Sequence, residues 1–158
     1  MSESSLPLVS VVMPIRNECA HIDRSLTAVL QQAYPSDRLE VIVADGQSQD
    51  GTPQRVADLA TAYPATTVLL VANPSGTAAS GLNAALACAH GEIIVRVDGH
   101  TVIEPTYVRE CVAALRRSDA QCVGGRMDAV GETSFGTAVA QATSSPFGVG
   151  GARFHYSQ

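Results

Sequence analysis

Short apolar runs that alternate with segments of helical spacing constrain the fold of this sequence more than any other feature. Such runs are typical of parallel strands, which are buried on both faces. In the segments between the runs, apolar residues recur three and four positions apart, as Ile22, Leu26, Val29 and Leu30 do. The predicted strands lie at residues 8–13, 39–45, 67–72, 92–97 and 120–125.

Helices are predicted between these strands and after the last one. Asn17 is suited to cap the first helix, Gly91 to end the third and Pro105 to open the fourth. Because strands joined through helices pair in parallel, the sequence predicts an α/β fold with a mainly parallel, Rossmann-like sheet flanked by helices. The predicted helices lie at residues 22–30, 52–63, 78–90 and 105–115, with a weak one at 136–144.

A chain of 158 residues is long enough for at most one ordinary domain. Hydrophobic residues make up 46% of the chain and charged residues 16%, so the chain can bury a core. The net charge is −5, and the basic residues are scattered arginines that form no basic patch. A nucleic-acid partner is therefore not expected.

The four cysteines lie far apart and show no metal-binding spacing, which disfavours a zinc site. The N-terminal residues lack the basic and apolar regions of a signal peptide. We therefore expect reduced thiols in a cytoplasmic protein. No apolar run approaches the roughly 20 residues that cross a bilayer.

Polar residues that can carry chemistry follow three of the predicted strands. Pro14 and Glu18 follow the first strand, Asp45 ends the second, and Asp98 and His100 follow the fourth. Ligands of open parallel sheets bind beyond the carboxyl ends of the strands, so these residues are candidates for one common site. The structural alternative is that strands end at the surface and that Asp and Asn also cap the helices that follow.

The segment Asp98-Gly99-His100 is the sharpest of these candidates. Residues two apart share one face of a strand, so the carboxylate and the imidazole are predicted to project to the same side. Together they could share Mn²⁺ or Mg²⁺, and the imidazole favours Mn²⁺. Such a cation would neutralise a diphosphate and stabilise it as a leaving group. The alternative is that Asp98 caps the next turn and that His100 is a solvated loop histidine.

Three sequence blocks, in this order and spacing, resemble glycosyltransferase family 2, the nucleotide-sugar enzymes with the GT-A fold. The blocks are "VSVVMPIRNE", "LEVIVADGQSQDGT" and "GLNAALACAHGEIIVRVDGH", and the resemblance extends from residue 9 to about residue 125. The segments "RVDGH", "CVGGRM" and "SSPFGVGGARF" are similar to the branch that includes succinoglycan-type exopolysaccharide glycosyltransferases.

The resemblance implies a metal-assisted, inverting transfer of a sugar from a nucleotide diphosphate sugar, with a UDP-sugar favoured, to a glycan or a lipid-linked acceptor. It implies that Pro14, Glu18, Asp45 and Asp98 bind the nucleotide. Asp98 takes the first position of the family's Asp-x-Asp motif and His100 the last, so both are implied metal ligands. Because His100 replaces an anionic ligand, and a protonated imidazole cannot coordinate, cation binding is expected to depend more strongly on pH.

The resemblance also divides the chain. Residues 1–126 correspond to a domain that binds the donor, and residues 127–158 to the start of an acceptor-side region. The acceptor half and the catalytic base are expected beyond residue 158, so no catalytic residue is assigned. By analogy with polymer-building relatives, the resemblance implies a cytoplasmic protein with a peripheral association at the inner face of the cell membrane.

Two other functions are compatible with the same residues. A non-catalytic nucleotide-binding module without an acceptor half would bind UDP but transfer no sugar. A nucleotidyltransferase would share the parallel sheet and the strand-end carboxylates. It would also need a basic glycine-rich loop after the first strand, which "PIRNECAH" does not provide.

Overall fold

A four-stranded parallel sheet forms the centre of the protein in the computed structural model, which describes residues 6–131 and 133–145. The strands are β1 (Val9–Ile15), β2 (Leu39–Asp45), β3 (Thr67–Ala72) and β4 (Ile93–Arg96). Their order across the sheet is β3-β2-β1-β4. Because each neighbouring pair is parallel, the carboxyl ends of the strands share one edge of the sheet.

Helices cover both faces of this sheet. The helices among the described residues are α1 (Ile22–Leu30), α2 (Thr52–Ala62), α3 (Ala78–Leu86), α4 (Tyr107–Arg117) and α5 (Ser134–Thr143). One face packs against α1, α2 and the start of α4 through Leu26, Val56 and Val108. The other face packs against α3 through Ala85. The predicted α/β fold with a parallel sheet is confirmed.

Burial separates the central strands from the edge strands. Nearly every residue of β1 and β2 is buried, as the apolar runs predict. In the edge strands, by contrast, Leu69, Leu70 and Ile94 are 42%, 40% and 41% exposed. An edge strand has a neighbour on one side only, so part of its surface reaches solvent. The expectation of burial on both faces is therefore wrong for β3 and β4.

The third helix is shorter than predicted, because α3 ends at Leu86 and not at His90. Gly91 does not end it. The amide of Gly91 donates a hydrogen bond to the hydroxyl of Ser10 at 2.7 Å. A Cβ atom built on Gly91 would lie 2.5 Å from the amide nitrogen of Ser10, so only glycine allows the chain to pass this close to β1.

Two further local predictions are wrong. Asn17 does not cap α1, which begins at Ile22 with His21 at the cap position. Asn17 instead adopts a left-handed backbone with φ 54°, and its side-chain oxygen accepts a hydrogen bond from the amide of Gln49 at 2.9 Å. Residues 120–125 form no strand, since they offer only a short apolar pair before two glycines.

The chain divides into two compact units, Met1–Val112 and Ala113–Gln158. The first unit holds the sheet, α1 to α3 and the start of α4, and the second holds the end of α4 and α5. Helix α5 lies where the weak helix was predicted. The domain boundary at residue 126 remains a prediction, and most of the block "SSPFGVGGARF" lies outside the described residues.

Two further observations concern the cysteines and the length of the helices. All four cysteines fall within the described residues, and none of them forms a disulfide. No helix in residues 6–131 and 133–145 is both long enough and apolar enough to span a membrane.

Candidate functional site

A cavity of about 230 Å³ opens at the carboxyl edge of the sheet, beyond β1 and β4. The predicted site residues Pro14, Glu18, Asp98 and His100 line this cavity, and Asp45 is not among its lining residues. This is the edge at which ligands of parallel sheets bind. Four of the five predicted residues therefore share one cavity, although they come from two separate segments, at the ends of β1 and β4.

The carboxylate of Asp98 is held by Arg96. Nε of Arg96 donates to Oδ1 at 2.9 Å, and Nη2 donates to Oδ2 at 3.2 Å. The side chain of Asp98 is 38% exposed, and that of Arg96 is 56% exposed. An exposed ion pair of this kind stabilises a protein by only about 0–1 kcal/mol, so a ligand can displace Arg96 at a small cost.

The imidazole of His100 is paired with the carboxylate of Glu18. The Nδ1 atom of His100 lies 3.0 Å from Oε1 of Glu18, which comes from the loop between β1 and α1. Asp98 and His100 thus both line the cavity, but Asp98 is hydrogen-bonded to Arg96 and His100 to Glu18.

The loop that carries Glu18 is tied to the loop after β2. The amide of Glu18 donates to Oγ1 of Thr52 at 2.9 Å, and the amide of Cys19 donates to Oδ2 of Asp50 at 2.9 Å. The hydrogen bond from the Thr52 hydroxyl, followed by that from the Cys19 amide, lowers the pKa of Asp50 below its usual value. Asp50 therefore serves as a charged anchor between the two loops.

Asp45, the last residue of β2, lies beside the cavity. It is paired in the sheet with Ile15, and its carbonyl oxygen accepts a hydrogen bond from the amide of Asn73 at 2.8 Å; both neighbours line the cavity. Its Oδ2 accepts a hydrogen bond from the amide of Ser48 at 3.1 Å. Its Oδ1 is buried and has no partner among the described residues. Such an atom is costly to bury, and a ligand donor would satisfy it.

Sequence reasoning did not assign the loop between β3 and α3 to the site. Gly76 and Thr77 of this loop line the cavity, as does Arg16 from the loop after β1. Nη1 of Arg16 donates to the carbonyl oxygen of Gly76 at 3.4 Å, and Gly76 has a φ of 67°. The segment "NPSGT" had the composition of a turn, and only the strand order brings it to the cavity.

The donor set at the cavity suits a divalent cation. Asp98 offers oxygen and His100 nitrogen, a combination that favours Mn²⁺ over Mg²⁺. Within the described residues, no group of three or more His, Cys, Asp and Glu side chains is arranged to hold a metal ion. Two protein ligands are enough where diphosphate oxygens and water complete the coordination. The chemistry fits if the cation takes the place of Arg96 at Asp98.

A family model described as Glycosyl transferase family 2 matches residues 10–155, which include every predicted site residue. The chain belongs to glycosyltransferase family 2. The resemblance predicted from the three sequence blocks is thereby confirmed.

Two curated proteins are similar to this family 2 chain. The glycosyltransferase AglE of Haloferax volcanii is 32% identical over 125 residues, which cover 79% of this chain and 41% of AglE. The succinoglycan biosynthesis protein ExoA of Rhizobium meliloti is 32% identical over 157 residues, which cover 97% of this chain and 47% of ExoA. The similarity to ExoA agrees with the succinoglycan branch predicted from the sequence.

A solved structure is similar in both sequence and fold. The mannosyltransferase PcManGT from Pyrobaculum calidifontis, in complex with GDP-Man and Mn²⁺, has a TM-score of 0.64 and 32% identity. The match covers 90% of this family 2 chain and 41% of PcManGT. The GT-A fold is thus confirmed. The chain spans less than half the length of AglE, ExoA and PcManGT.

Proposed function

We propose that this chain binds a nucleotide diphosphate sugar and forms the donor-binding part of a glycosyltransferase. The observation that carries this proposal is the cavity at the carboxyl edge of the sheet, which Asp98 and His100 line together with two arginines. The complex of PcManGT with GDP-Man and Mn²⁺ supports a donor of this class. A UDP-sugar remains the favoured donor, and a comparison of UDP binding with GDP binding distinguishes it from a GDP-sugar.

The nucleoside is assigned to the side of the cavity that lies near Asp45. The buried Oδ1 of Asp45 lacks a partner among the described residues and would accept a hydrogen bond from an N–H group of the base. Pro14 and Glu18, which line the cavity, would form its wall on the β1 side. A cavity of about 230 Å³ is smaller than most pockets for drug-sized ligands, so part of the donor would extend outside it.

The diphosphate is assigned to the side formed by the β3–α3 loop and β4. Thr77 caps α3 and lines the cavity with Ala78, so an anion bound there would lie near the first turn of α3, where the helix dipole favours negative charge. Arg16 supplies a guanidinium group beside this turn. Asp98 and His100 would hold the divalent cation, which neutralises charge on the diphosphate when bound.

The reaction class is a displacement at the anomeric carbon. A hydroxyl oxygen of the acceptor forms the new bond, while the bond from the anomeric carbon to the diphosphate oxygen breaks and the diphosphate keeps the electron pair. The hydroxyl proton passes to a general base, and the configuration inverts. None of the described residues is assigned as that base.

The acceptor and the location are proposed by analogy. ExoA is described as a succinoglycan biosynthesis protein, which supports a growing glycan or a lipid-linked sugar as the acceptor. We place the reaction in the cytoplasm, with a peripheral association at the inner face of the membrane.

The experiment is a thermal-shift titration with UDP and GDP, each with and without Mn²⁺. At a concentration of about 100 times Kd, a nucleotide stabilises the wild type by about 2.7 kcal/mol. Asp45→Ala and Asp98→Ala are expected to abolish this gain, and Asp58→Ala, on the exposed face of α2, is the matched control. An unchanged gain in both site variants would contradict the proposal. Hydrolysis of a nucleotide sugar then separates a transferase from a module that only binds.

A further inference from the structure

We propose that Glu18 is a positioning residue that fixes the tautomer and the orientation of the His100 ring. The inference deepens the proposed function, on which it rests, because the ring is thereby held with Nε2 available to the donor diphosphate and its cation.

The pairing of the two side chains determines which ring nitrogen carries the proton. A carboxylate can only accept a hydrogen bond, so the contact of 3.0 Å requires that Nδ1 of His100 donates to Oε1 of Glu18. In a neutral imidazole the other nitrogen then keeps its lone pair. Within the described residues, Nε2 of His100 makes no hydrogen bond, so this lone pair is available to a ligand.

Glu18 is the fixed member of the pair. Its amide is bound to Thr52, and its carbonyl oxygen accepts hydrogen bonds from the amides of His21 and Ile22, each at 2.8 Å. Its side chain is 17% exposed, whereas that of His100 is 63% exposed. The less exposed side chain, whose backbone is hydrogen-bonded at both its amide and its carbonyl group, therefore orients the more exposed ring, and not the reverse.

Gly99 creates the space through which this contact is made. A Cβ atom at position 99 would lie 2.8 Å from Cγ of Glu18 and 3.0 Å from a methyl group of Ile15. The carbonyl oxygen of Gly99 accepts a hydrogen bond of 2.6 Å from the buried hydroxyl of Ser25. The segment from 98 to 100 is thus anchored at its centre, with Glu18 packed directly against it.

The chemical consequence is a better oriented nitrogen ligand. A histidine that donates one ring N–H to a carboxylate presents its other nitrogen to a metal in a fixed direction. This compensates in part for the neutral imidazole at a position where the family's motif carries an anionic Asp. It also explains why a glycine directly precedes the histidine at this strand end.

The first test is the tautomer of His100, measured by long-range ¹H–¹⁵N NMR on the metal-free chain at a pH where the ring is neutral. We expect the Nδ1–H form in the wild type, whereas a solvated imidazole prefers Nε2–H. Glu18→Ala should return His100 to the Nε2–H form, and Glu92→Ala, an exposed acid next to β4, should not. A wild-type ring in the Nε2–H form would overturn the inference even if Glu18→Ala fails to fold.

The second test is the affinity for Mn²⁺ alone, measured by electron paramagnetic resonance of the free ion. Loss of a carboxylate behind a histidine ligand typically weakens metal binding by about 10- to 100-fold, and we expect that range for Glu18→Ala. Equal affinity in Glu18→Ala and the wild type would overturn the role of Glu18 and leave the proposed function intact. A wild type that binds no Mn²⁺ either alone or with UDP would overturn the metal part of the proposed function, and the NMR measurement of the tautomer would still test the pairing of Glu18 with His100.

Discussion

The amide of Gly91 and the hydroxyl of Ser10 join the start of β4 to the start of β1 through a hydrogen bond of 2.7 Å. The Ser10 hydroxyl in turn donates to Oε1 of Glu40 at 2.5 Å, and the amide of His90 donates to the same oxygen at 2.6 Å. One carboxylate therefore links three segments at the end of the sheet opposite the cavity.

Replacement of Glu40 by Gln should lower the free energy of unfolding at neutral pH. It should also reduce the loss of stability that the wild type shows at acid pH. Burial acts to raise the pKa of Glu40, but hydrogen bonds from Ser10 and His90 outweigh it and lower the pKa below 4.5. The ionised Glu40 side chain therefore contributes its full stabilisation above about pH 5.5. This contribution is lost as the pH falls below 4.5 and passes through the pKa of Glu40 in the folded protein, which is lower still. Exchanging a charged for a neutral hydrogen-bond acceptor costs about 1 kcal/mol.

Urea unfolding of the wild type and Glu40→Gln from pH 7 to pH 3 checks this expectation. The difference between the two proteins should be constant above pH 5.5 and should shrink below pH 4.5. Glu92→Gln, which removes the same charge from an exposed position, is the control and should follow the wild type. A difference that grows towards acid pH would contradict the argument.

Replacement of Gly99 by Ala should destabilise the protein and disturb the cavity. The added methyl group would overlap Cγ of Glu18 and crowd Ile15. Such overpacking typically costs about 1–3 kcal/mol. Gly124→Ala is the matched control, because a Cβ atom there would meet no atom within 4 Å. Denaturant unfolding measures both variants, and a Gly99→Ala protein as stable as Gly124→Ala would show that Glu18 does not pack against residue 99.

The central part of the fold could be predicted from the sequence because its causes are local. The runs that became β1 and β2 are mostly apolar, and parallel pairing with intervening helices follows from that pattern. Ligands of parallel sheets bind beyond the carboxyl ends of the strands, which predicted that the residues at these ends are neighbours. Four of them line one cavity: Pro14, Glu18, Asp98 and His100. Their roles in binding remain predictions.

The contacts that shape the cavity could not be predicted, because they join residues far apart in the chain. Glu18 and His100 are separated by 82 positions, and no local pattern indicates that they pair. The end of α3 was missed for a similar reason, since Gly91 is required by Ser10 and not by the helix. The strand predicted at residues 120–125 depended on pairing with a neighbour, which periodicity does not reveal.

Replacement of Arg96 by Gln should strengthen the binding of Mn²⁺ in the absence of nucleotide. Arg96 occupies both carboxylate oxygens of Asp98, so the proposed cation has to displace it. An exposed ion pair is worth about 0.2–1 kcal/mol, which corresponds to a gain in affinity of about 1.4- to 5-fold. Removing a positive charge beside the site acts in the same direction.

Titration of Mn²⁺ alone, followed by electron paramagnetic resonance, measures this gain. Arg55→Gln is the matched control, because Arg55 forms an exposed ion pair with Asp23 at 3.1 Å, away from the cavity. Asp98→Ala should reduce the affinity in either background, since it removes the oxygen ligand itself. If Arg96→Gln binds Mn²⁺ more weakly than the wild type, Arg96 orients Asp98 for the cation and does not compete with it.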